Sequence, residues 1–582
     1  MATNPLVRRI AIIGAGQSGL QLGIGLLRAG HAVSVVSNRT ADEIGAGAVM
    51  SSQCMFDTAL QAERDLGLDF WQATCPAVQG VSFAIADHQG LRRVHWSARL
   101  DNCAQSVDQR LKIPAWMHEF ERHGGELTIR DAGMADLEQY ALSHDLVIVA
   151  SGKGDLGSLF EPDRARSPFT EPQRALALAY VRGTRPQEPF SAVSFNMIPG
   201  VGEYFVFPAL TTSGPCEIMV FEAVIGGPMD CWATADTAEQ HLEKCKRLLA
   251  RFLPWEAQRC RDAVLTDPNG VLTGRLVPHV RRPTATLPSG AQVLGMGDAL
   301  VLNDPVTGQG ANNAAKCAEI YLDSILSWRD AEFHSQWMRQ TFERYWRGYA
   351  QWVVQWTNSL LARPAPHVIK LLTCAAEIPA VASTIANGFD DPRTLHPWWF
   401  DADEADRFLG IEARLARRDR FDRRDLRKAL GQFATGVTVV TTCTVDGRRV
   451  GMTANSFSSL SLDPPLVLWS MARDAPSFAD FMGAGHFAIN VLAATQHHLS
   501  RQFSTPQADK FEGVACGEGL AGLPVLKGAI ACFECRSVRQ YDGGDHIIMV
   551  GEVEKYCRSE GEPLVFHSGR YRLAARHPQL PD

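Results

Sequence analysis

The 582-residue sequence contains no apolar run long enough to span a bilayer, so an integral helical membrane protein is not expected. Charge of one sign is also scarce in excess. Lys and Arg number 57 against 64 Asp and Glu, a formal net charge of −7 with no basic stripe, which excludes the footprint of a nucleic-acid binder. Spaced His and Asp clusters of the metal-ligating kind are missing, so no metal is expected. The 14 cysteines are scattered, which suits packed, reduced thiols better than a disulfide framework. Cys532 and Cys535 form a lone CxxC inside the strand-like GAIACFECRSV and read as core packing. Only MATNPLVRR precedes the first apolar strand, too little for a secretory leader, and a soluble cytoplasmic protein is the expectation. The length exceeds one hydrophobic core, which predicts several domains.

What is present begins with a fingerprint. IAIIGAGQSGLQLGIGLLRAG places an apolar strand, Ile10 to Ile13, before Gly14, Gly16 and Gly19 at GxGxxG spacing, with an apolar helical run from Leu20 to Leu27 after them. In that order Gly14 permits the turn, Gly16 lets backbone N–H groups approach a pyrophosphate, and Gly19 lets helix and strand pack closely. A dinucleotide site follows. One component is lacking: the second strand ends in VSVVSNR, where Ser37 and Asn38 replace the carboxylate that ordinarily grips a ribose. Neutral side chains grip it less strongly.

A second segment, AQVLGMGDALVLNDPVTGQGANNAAKCAEIYLDSIL, reads as a strand, a Gly297-Asp298 turn and a Gly-rich entry into a long helix. Gly308, Gly310 and Asn312 put backbone donors at a helix start, and Asp298 can accept from a polyol hydroxyl. The two motifs together, with Pro305 in the second, resemble the FAD-binding domain of the flavoprotein hydroxylases. HDLVIVASGKG supplies the parallel strand that fold requires, ending at Ala150-Ser151-Gly152. The resemblance implies that Arg110 begins a helix contacting the flavin phosphates, with a surface arginine as the alternative, and it adds Arg39 to the cofactor-binding set.

From about Thr341 to Leu426 the chain is rich in Trp and charge and reads as helices, with a linker near residues 400–420. Beyond it come short β-rich runs separated by turns, as in a barrel. MTANSFSSLSLDPPL, FAINVL and GGDHIIMVGEV, in that order, resemble the split-barrel flavin reductases of two-component monooxygenases over Phe421 to Leu573. That resemblance implies flavin contacts from Thr453, Asn455, Ser456 and Ser458, further contacts from Asn490 and Val491, and a nicotinamide-side role for His546, the one catalytic candidate. FAD and NADH are the implied cofactors. A homodimer through this domain is expected, since such reductases build the flavin site at a subunit interface.

Residues 1 to about 415 carry SNRTADE, SPFTEPQRAL, SFNMIPGVGEYFVFPAL, DPVTGQGAN and WTN, a set that resembles the oxygenase of styrene and indole monooxygenases. A neutral residue at the ribose position is a trait of that group. The implied architecture is α/β plus β: a Rossmann-like FAD-binding hydroxylase fold with a substrate domain over 1–415 (cofactor segments near 6–60, 100–155 and 285–330), then a split β-barrel reductase over 416–582. The implied activity is self-sufficient monooxygenation. NADH reduces FAD in the C-terminal domain, and the N-terminal domain uses reduced FAD and O2, through a C4a-hydroperoxide, to epoxidise an alkene. Ala48 stands where the styrene-epoxidising branch has arginine, and Ser51, Gln53, Met55, Val78, Val81 and Ala104 depart from that branch toward the indole-oxidising one. Those six are the expected substrate contacts, with indole preferred and styrene-like alkenes and sulfides also accepted. Two alternatives stand: an NADH:FAD reductase whose N-terminal half delivers reduced flavin to a separate oxygenase, and a flavin halogenase, whose WxWxIP segment is absent.

Overall fold

The computed structural model describes residues 7–87, 89–152, 155–232, 237–328, 332–416, 423–505 and 509–574. The chain divides into two compact units, Met1–Arg418 and Asp419–Asp582. The first ten strands of the first unit are β1 (Arg9–Ile13), β2 (Ala32–Ser37), β3 (Ala77–Ala86), β4 (Arg92–Gln105), β5 (Glu126–Ile129), β6 (Leu146–Val149), β7 (Arg174–Arg182), β8 (Ala192–Ile198), β9 (Gly202–Thr211) and β10 (Gly214–Val224). Two sheets sort them.

The sheet that carries the fingerprint runs Thr284–Thr286, Gln292–Gly295, β6, β1, β2, β5. Every pairing is parallel except the one to the edge strand Thr284–Thr286. Parallel strands are covered on both faces, and Ile10 to Ile13 and Leu146 to Val149 are accordingly apolar throughout and buried throughout. The connection between β1 and β2 is the helix Gln17–Arg28, whose buried side packs on that sheet.

The larger sheet runs Val264–Leu265, β7, β10, β9, β8, β3, β4, with Val271–Gly274 also on β7. Here the side chains alternate with period two. Phe205, Phe207, Ile218 and Val220 face the helices between Gln351 and Ala416, while Tyr204, Val206, Met219 and Phe221 face the helix Ala238–Phe252. A sheet sandwiched in this way has no wetted face, which explains why both parities are apolar. Residues 402–416 of the expected linker are helical, with Ala405 and Leu409 buried in this core, so they belong to the first unit. Among the described residues no single helix is long and apolar enough to cross a membrane.

The second unit is built on one antiparallel sheet: Arg449–Ala454, Thr438–Cys443, His486–Val491, Ala531–Gly543, His546–Arg558, Pro465–Ala472, Ser458–Leu462. Its first and last strands are consecutive in sequence, separated by residues 455–457 alone. The sheet must therefore curl until its two edges meet, around a core of Val440, Trp469, Met471, Phe487, Ile489 and Met549. Cys532 and Cys535 lie buried in this sheet, where burial pushes both thiols up to about 12 and leaves them unreactive packing groups.

Candidate functional site

The three fingerprint glycines divide the labour that their spacing predicts. Gly14 has φ +125°, and a Cβ there would stand 2.9 Å from the backbone of Ala150 and Ser151 at the end of β6. A Cβ on Gly19 would lie within 2.1 Å of the Gly14 carbonyl oxygen, so helix and turn touch directly. On Gly16, by contrast, it would meet nothing within 4 Å. Close approach is enforced at two positions and room is kept at the third.

The second motif forms beside the first. Gln17 and Gln21 donate to the carbonyls of Ala311 and Ala315 at 3.1 and 3.2 Å, so the helices Gln17–Arg28 and Gly310–Ser327 run side by side with their N-termini level. Neither start carries a side-chain cap. Their free N–H groups and aligned dipoles make one anion-binding end. Gly308, at φ +64°, and Gly310 again leave open space where a Cβ would stand. Asp298 is exposed in the turn beside Gly152, whose Cβ would come within 3.0 Å of it. Pro305 opens the short turn Pro305–Thr307, capped by Asp304 accepting from the Val306 N–H at 3.2 Å.

Other expected cofactor contacts take different parts. Asn312 is buried, and its amide is spent within the chain: it accepts from the Phe56 N–H at 2.8 Å and donates to the carbonyls of Cys54 and Gly308 at 2.9 and 3.1 Å. Arg110 is 4% exposed, and its guanidinium is held by Asp108 at 2.8 Å, by both oxygens of Asp267 at 3.0 Å and by Thr211. A guanidinium occupied by two carboxylates is a clamp joining the helix Gln109–Arg122 to β9 and the residue 267 turn, and its burial corrects the surface alternative. Arg39 is half-buried, its Nη2 3.1 Å from the Met50 sulfur. The Ser37 hydroxyl donates to the Arg39 carbonyl at 2.6 Å and closes its own turn.

A small apolar cavity opens at the same loop, lined by Ser52, Cys54, Phe56, Val193, Phe205, Phe207, Val220, Pro305, Thr307, Gly308 and Phe389. None of the six expected substrate contacts lines it. Even-numbered residues of the 51–56 segment face the cavity and odd-numbered ones turn away, as in any extended chain. Ser51 donates to the Gln53 Oε1 at 2.7 Å, and Gln53 in turn donates to the Val107 carbonyl at 2.6 Å, with the Tyr180 hydroxyl at 3.3 Å. Met55 packs in a separate cluster with Ala59, Leu60 and Ala315. Val78, Val81 and Ala104 are fully buried in the cluster that backs the cavity wall. These six support the loop and wall; Ser52, Cys54 and Phe56, their neighbours by parity, face the space. Phe205 and Phe207 lie in SFNMIPGVGEYFVFPAL, and period-two reading of that strand is the signal that finds them.

In the second unit Thr453, Asn455, Ser456 and Ser458 sit on the seam where the sheet edges meet. The Ser456 hydroxyl accepts from the Ser470 N–H at 2.9 Å and donates to the Ser470 carbonyl at 3.0 Å, Thr453 donates to the Ser500 carbonyl at 2.6 Å, and Asn455 and Ser458 are exposed. His546 pairs with Ala472, two residues along the same strand from Ser470, and its Nδ1 lies 2.8 Å from Asp545. Strand Pro465–Ala472 thus brings the Ser/Asn loop and the histidine to one end. Asn490 does not join them by its side chain. It is buried, donates to the Val439 carbonyl at 3.0 Å and accepts from the Leu526 N–H at 2.8 Å, a clip between strands. Val491 is half-buried on the opposite face of that strand.

These features fit a flavin dinucleotide in the first unit: room at three glycines, an anion-binding pair of helix starts, and an apolar cavity against the loop. The family model for the styrene monooxygenase A substrate-binding domain matches residues 152–259, and that for the flavin reductase like domain matches residues 430–575. Over 396 residues the chain is 30% identical to styrene monooxygenase StyA of Pseudomonas fluorescens, covering 66% of this chain and 93% of that protein. Over 153 residues it is 48% identical to FMN reductase (NADH) SmoA of Agrobacterium fabrum, covering 26% and 87%. The solved styrene monooxygenase flavin reductase of Pseudomonas putida S12 is 34% identical, with 26% of this chain and 97% of that one covered and a TM-score of 0.25. The molecule is a flavin-dependent monooxygenase joined in one chain to a flavin reductase domain. It belongs to the styrene monooxygenase family, with flavin and NADH as its cofactors and O2 as its oxidant.

Two outcomes follow from this geometry. Gly16→Ala leaves stability within about 0.5 kcal/mol and lowers FAD affinity roughly tenfold, whereas Gly19→Ala costs about 1–3 kcal/mol or more of stability, both read by denaturant unfolding and FAD titration. Arg110→Met destabilises the first unit by about 3–5 kcal/mol at neutral pH, because Asp108 is left buried without its cation. Burial would raise the Asp267 carboxyl, but the Arg110 hydrogen bonds outweigh it and hold that carboxyl below its ordinary value. Its share of the stability is present above the ordinary carboxylate range and lost as pH falls through the lowered value, so the Arg110→Met deficit, measured by unfolding against pH, narrows toward acid.

Proposed function

We propose that the C-terminal unit transfers hydride from NADH to FAD, and that the N-terminal unit, a Rossmann-like FAD-binding fold, uses reduced FAD and O2 to epoxidise the C2–C3 bond of indole, with styrene-like alkenes and sulfides as further substrates. The observation that carries this reading is the apolar cavity against the Pro305–Gly308 loop. Reduced flavin, when bound, supplies the electrons that activate O2. The chain's own residues have simpler tasks. Phe205, Phe207, Val193, Val220, Phe56 and Phe389 keep water out and hold a flat aromatic ring, work that needs no nucleophile and no metal. Ser52 and Thr307 are the hydroxyls on the cavity lining. The Thr307 hydroxyl is 2.7 Å from that of Thr357, which leaves Ser52 as the freer acceptor for an indole N–H.

In the C-terminal unit, Thr453, Asn455, Ser456 and Ser458 hold the flavin and His546 orients the nicotinamide nucleotide, since hydride transfer is chiefly a matter of positioning. Leu460 and Leu462 are exposed on the edge strand Ser458–Leu462, which favours a homodimer through this unit. The alternative, a reductase whose N-terminal unit only delivers flavin, is separated from this reading by substrate oxidation with NADH and FAD by the chain alone.

A chain beginning near residue 419 is expected to oxidise NADH with FAD unaided, and His546→Ala to raise KM for NADH roughly tenfold with kcat little changed, about 1.4 kcal/mol for one hydrogen bond to a charged group. Equal NADH oxidation by residues 1–418 would overturn the assignment. For the oxygenase, the indole-over-styrene ratio of kcat/KM should fall roughly two- to tenfold in Ser52→Ala, the worth of one buried hydrogen bond. If Ser51→Ala moves the ratio and Ser52→Ala does not, the cavity is not the substrate site.

A further inference from the structure

A second feature lies beneath the same loop. Glu222 on β10, Asp304 before Pro305, Glu203 on β9 and Arg174 on β7 form a buried cluster, exposed by 0, 1, 5 and 6%. Arg174 and Glu203 satisfy each other: Nε and Nη2 donate to the two carboxylate oxygens at 2.7 and 3.0 Å. That pair is neutral in sum. Glu222, directly across from Glu203 on the next strand, and Asp304 remain as two carboxyls with no cation of their own. The two lie close enough to act directly on each other's ionisation. Neither Glu222 oxygen, nor Asp304 Oδ2, has a hydrogen-bond partner among the described residues. Two buried carboxyl groups in contact cannot both ionise, and a hydrogen bond between them needs a proton on one.

We propose that Glu222 and Asp304 share one proton at neutral pH, and that this proton positions the Pro305–Gly308 loop against which the flavin and the cavity are built. This rests on the flavin reading of that loop given above. The link is direct, since the Asp304 carboxyl caps the loop through Oδ1 while its buried Oδ2 is left without a partner. Burial, then Asp304, then Glu203 push Glu222 well above the ordinary carboxylate range, against the opposing pull of Arg174. Burial likewise raises Asp304, opposed by Glu222, the Val306 N–H and Arg174. The folded chain therefore holds a proton that the unfolded chain releases near its ordinary carboxyl value. Stability from this site is full below that value and is lost as pH rises through the raised one, by up to roughly tenfold in the folding equilibrium per pH unit. Beyond it, a second buried charge pushes against Asp304 and loosens the cap.

The test compares the full chain with Glu222→Gln, whose amide donates to Asp304 at every pH. Twelve of the 13 tryptophans lie before residue 419, so tryptophan emission reports the first unit's unfolding. Denaturation midpoints of this transition are measured from about pH 6 to about pH 9, with and without FAD. The wild-type midpoint, and the shift FAD adds to it, should fall with rising pH, and both profiles should flatten in Glu222→Gln. If Glu222→Gln does not fold, Asp304→Asn provides the fixed donor from the other side, with the same flattening expected. Parallel profiles for variant and wild type, with FAD still protecting, would overturn the shared proton and leave the flavin reading intact. A transition that FAD protects at no pH, flattened in the variant or not, overturns the flavin reading beneath it.

Discussion

The oxygenase unit depends on one buried amide. Asn312 has one carbonyl and one NH2 to offer, and it spends them on three backbone groups: the N–H of Phe56 and the carbonyls of Cys54 and Gly308. Those groups belong to the cavity segment and to the loop at the helix start. The amide thus fixes how far the cavity wall stands from the loop at the helix start. An apolar side chain there would take this partner from two buried backbone groups, the Phe56 N–H and the Cys54 carbonyl, at about 1–3 kcal/mol for each one left unpaired. Gln17 and Gln21 set the next distance in the same way, by holding the two helix starts level.

This arrangement explains what could be read from the sequence and what could not. Backbone requirements are local, so GxGxxG announced its turn, its open position and its close contact, and the short β-rich runs between turns announced the strands of the second unit. Side-chain destinations are not local. The Asn312 amide and the Arg110 guanidinium both turn inward to hold other segments, which their motif positions do not announce. The 51–56 segment makes the point more sharply. In an extended stretch a single residue's shift in numbering exchanges one face for the other: Ser51, Gln53 and Met55 lie on the face that supports the loop, and Ser52, Cys54 and Phe56 face the cavity. Nothing within the five residues says which face is inside; β9, 150 residues on, decides it.

The reductase unit repeats the distinction. A curled sheet has one seam, and the Ser/Asn loop occupies it because the strands on either side are consecutive and have no third strand to pair with. Backbone there is free of the ladder and open to a ligand. Asn490 lies in the middle of the sheet instead, where a polar side chain must satisfy itself within the core, and it does so on Val439 and Leu526. Two asparagines in similar-looking motifs thus differ by where the sheet ends.

The neutral end of β2 now has a structural meaning. A carboxylate at residue 37 would face the same turn, and Ser37 instead donates to Arg39 and folds the turn upon itself. On the reading proposed above, the grip on the dinucleotide is left to helix starts and open glycines, which attract phosphate through partial charges and backbone N–H groups. Such contacts are weaker than a charged hydrogen bond and form with the pyrophosphate whether the ring is oxidised or reduced. On the division of labour proposed above, the flavin reduced in one unit must be taken up by the other and later released. A site that holds the common pyrophosphate by backbone, and leaves discrimination to the loop and cavity at the ring, meets that requirement without a tight ribose clamp that would slow the release.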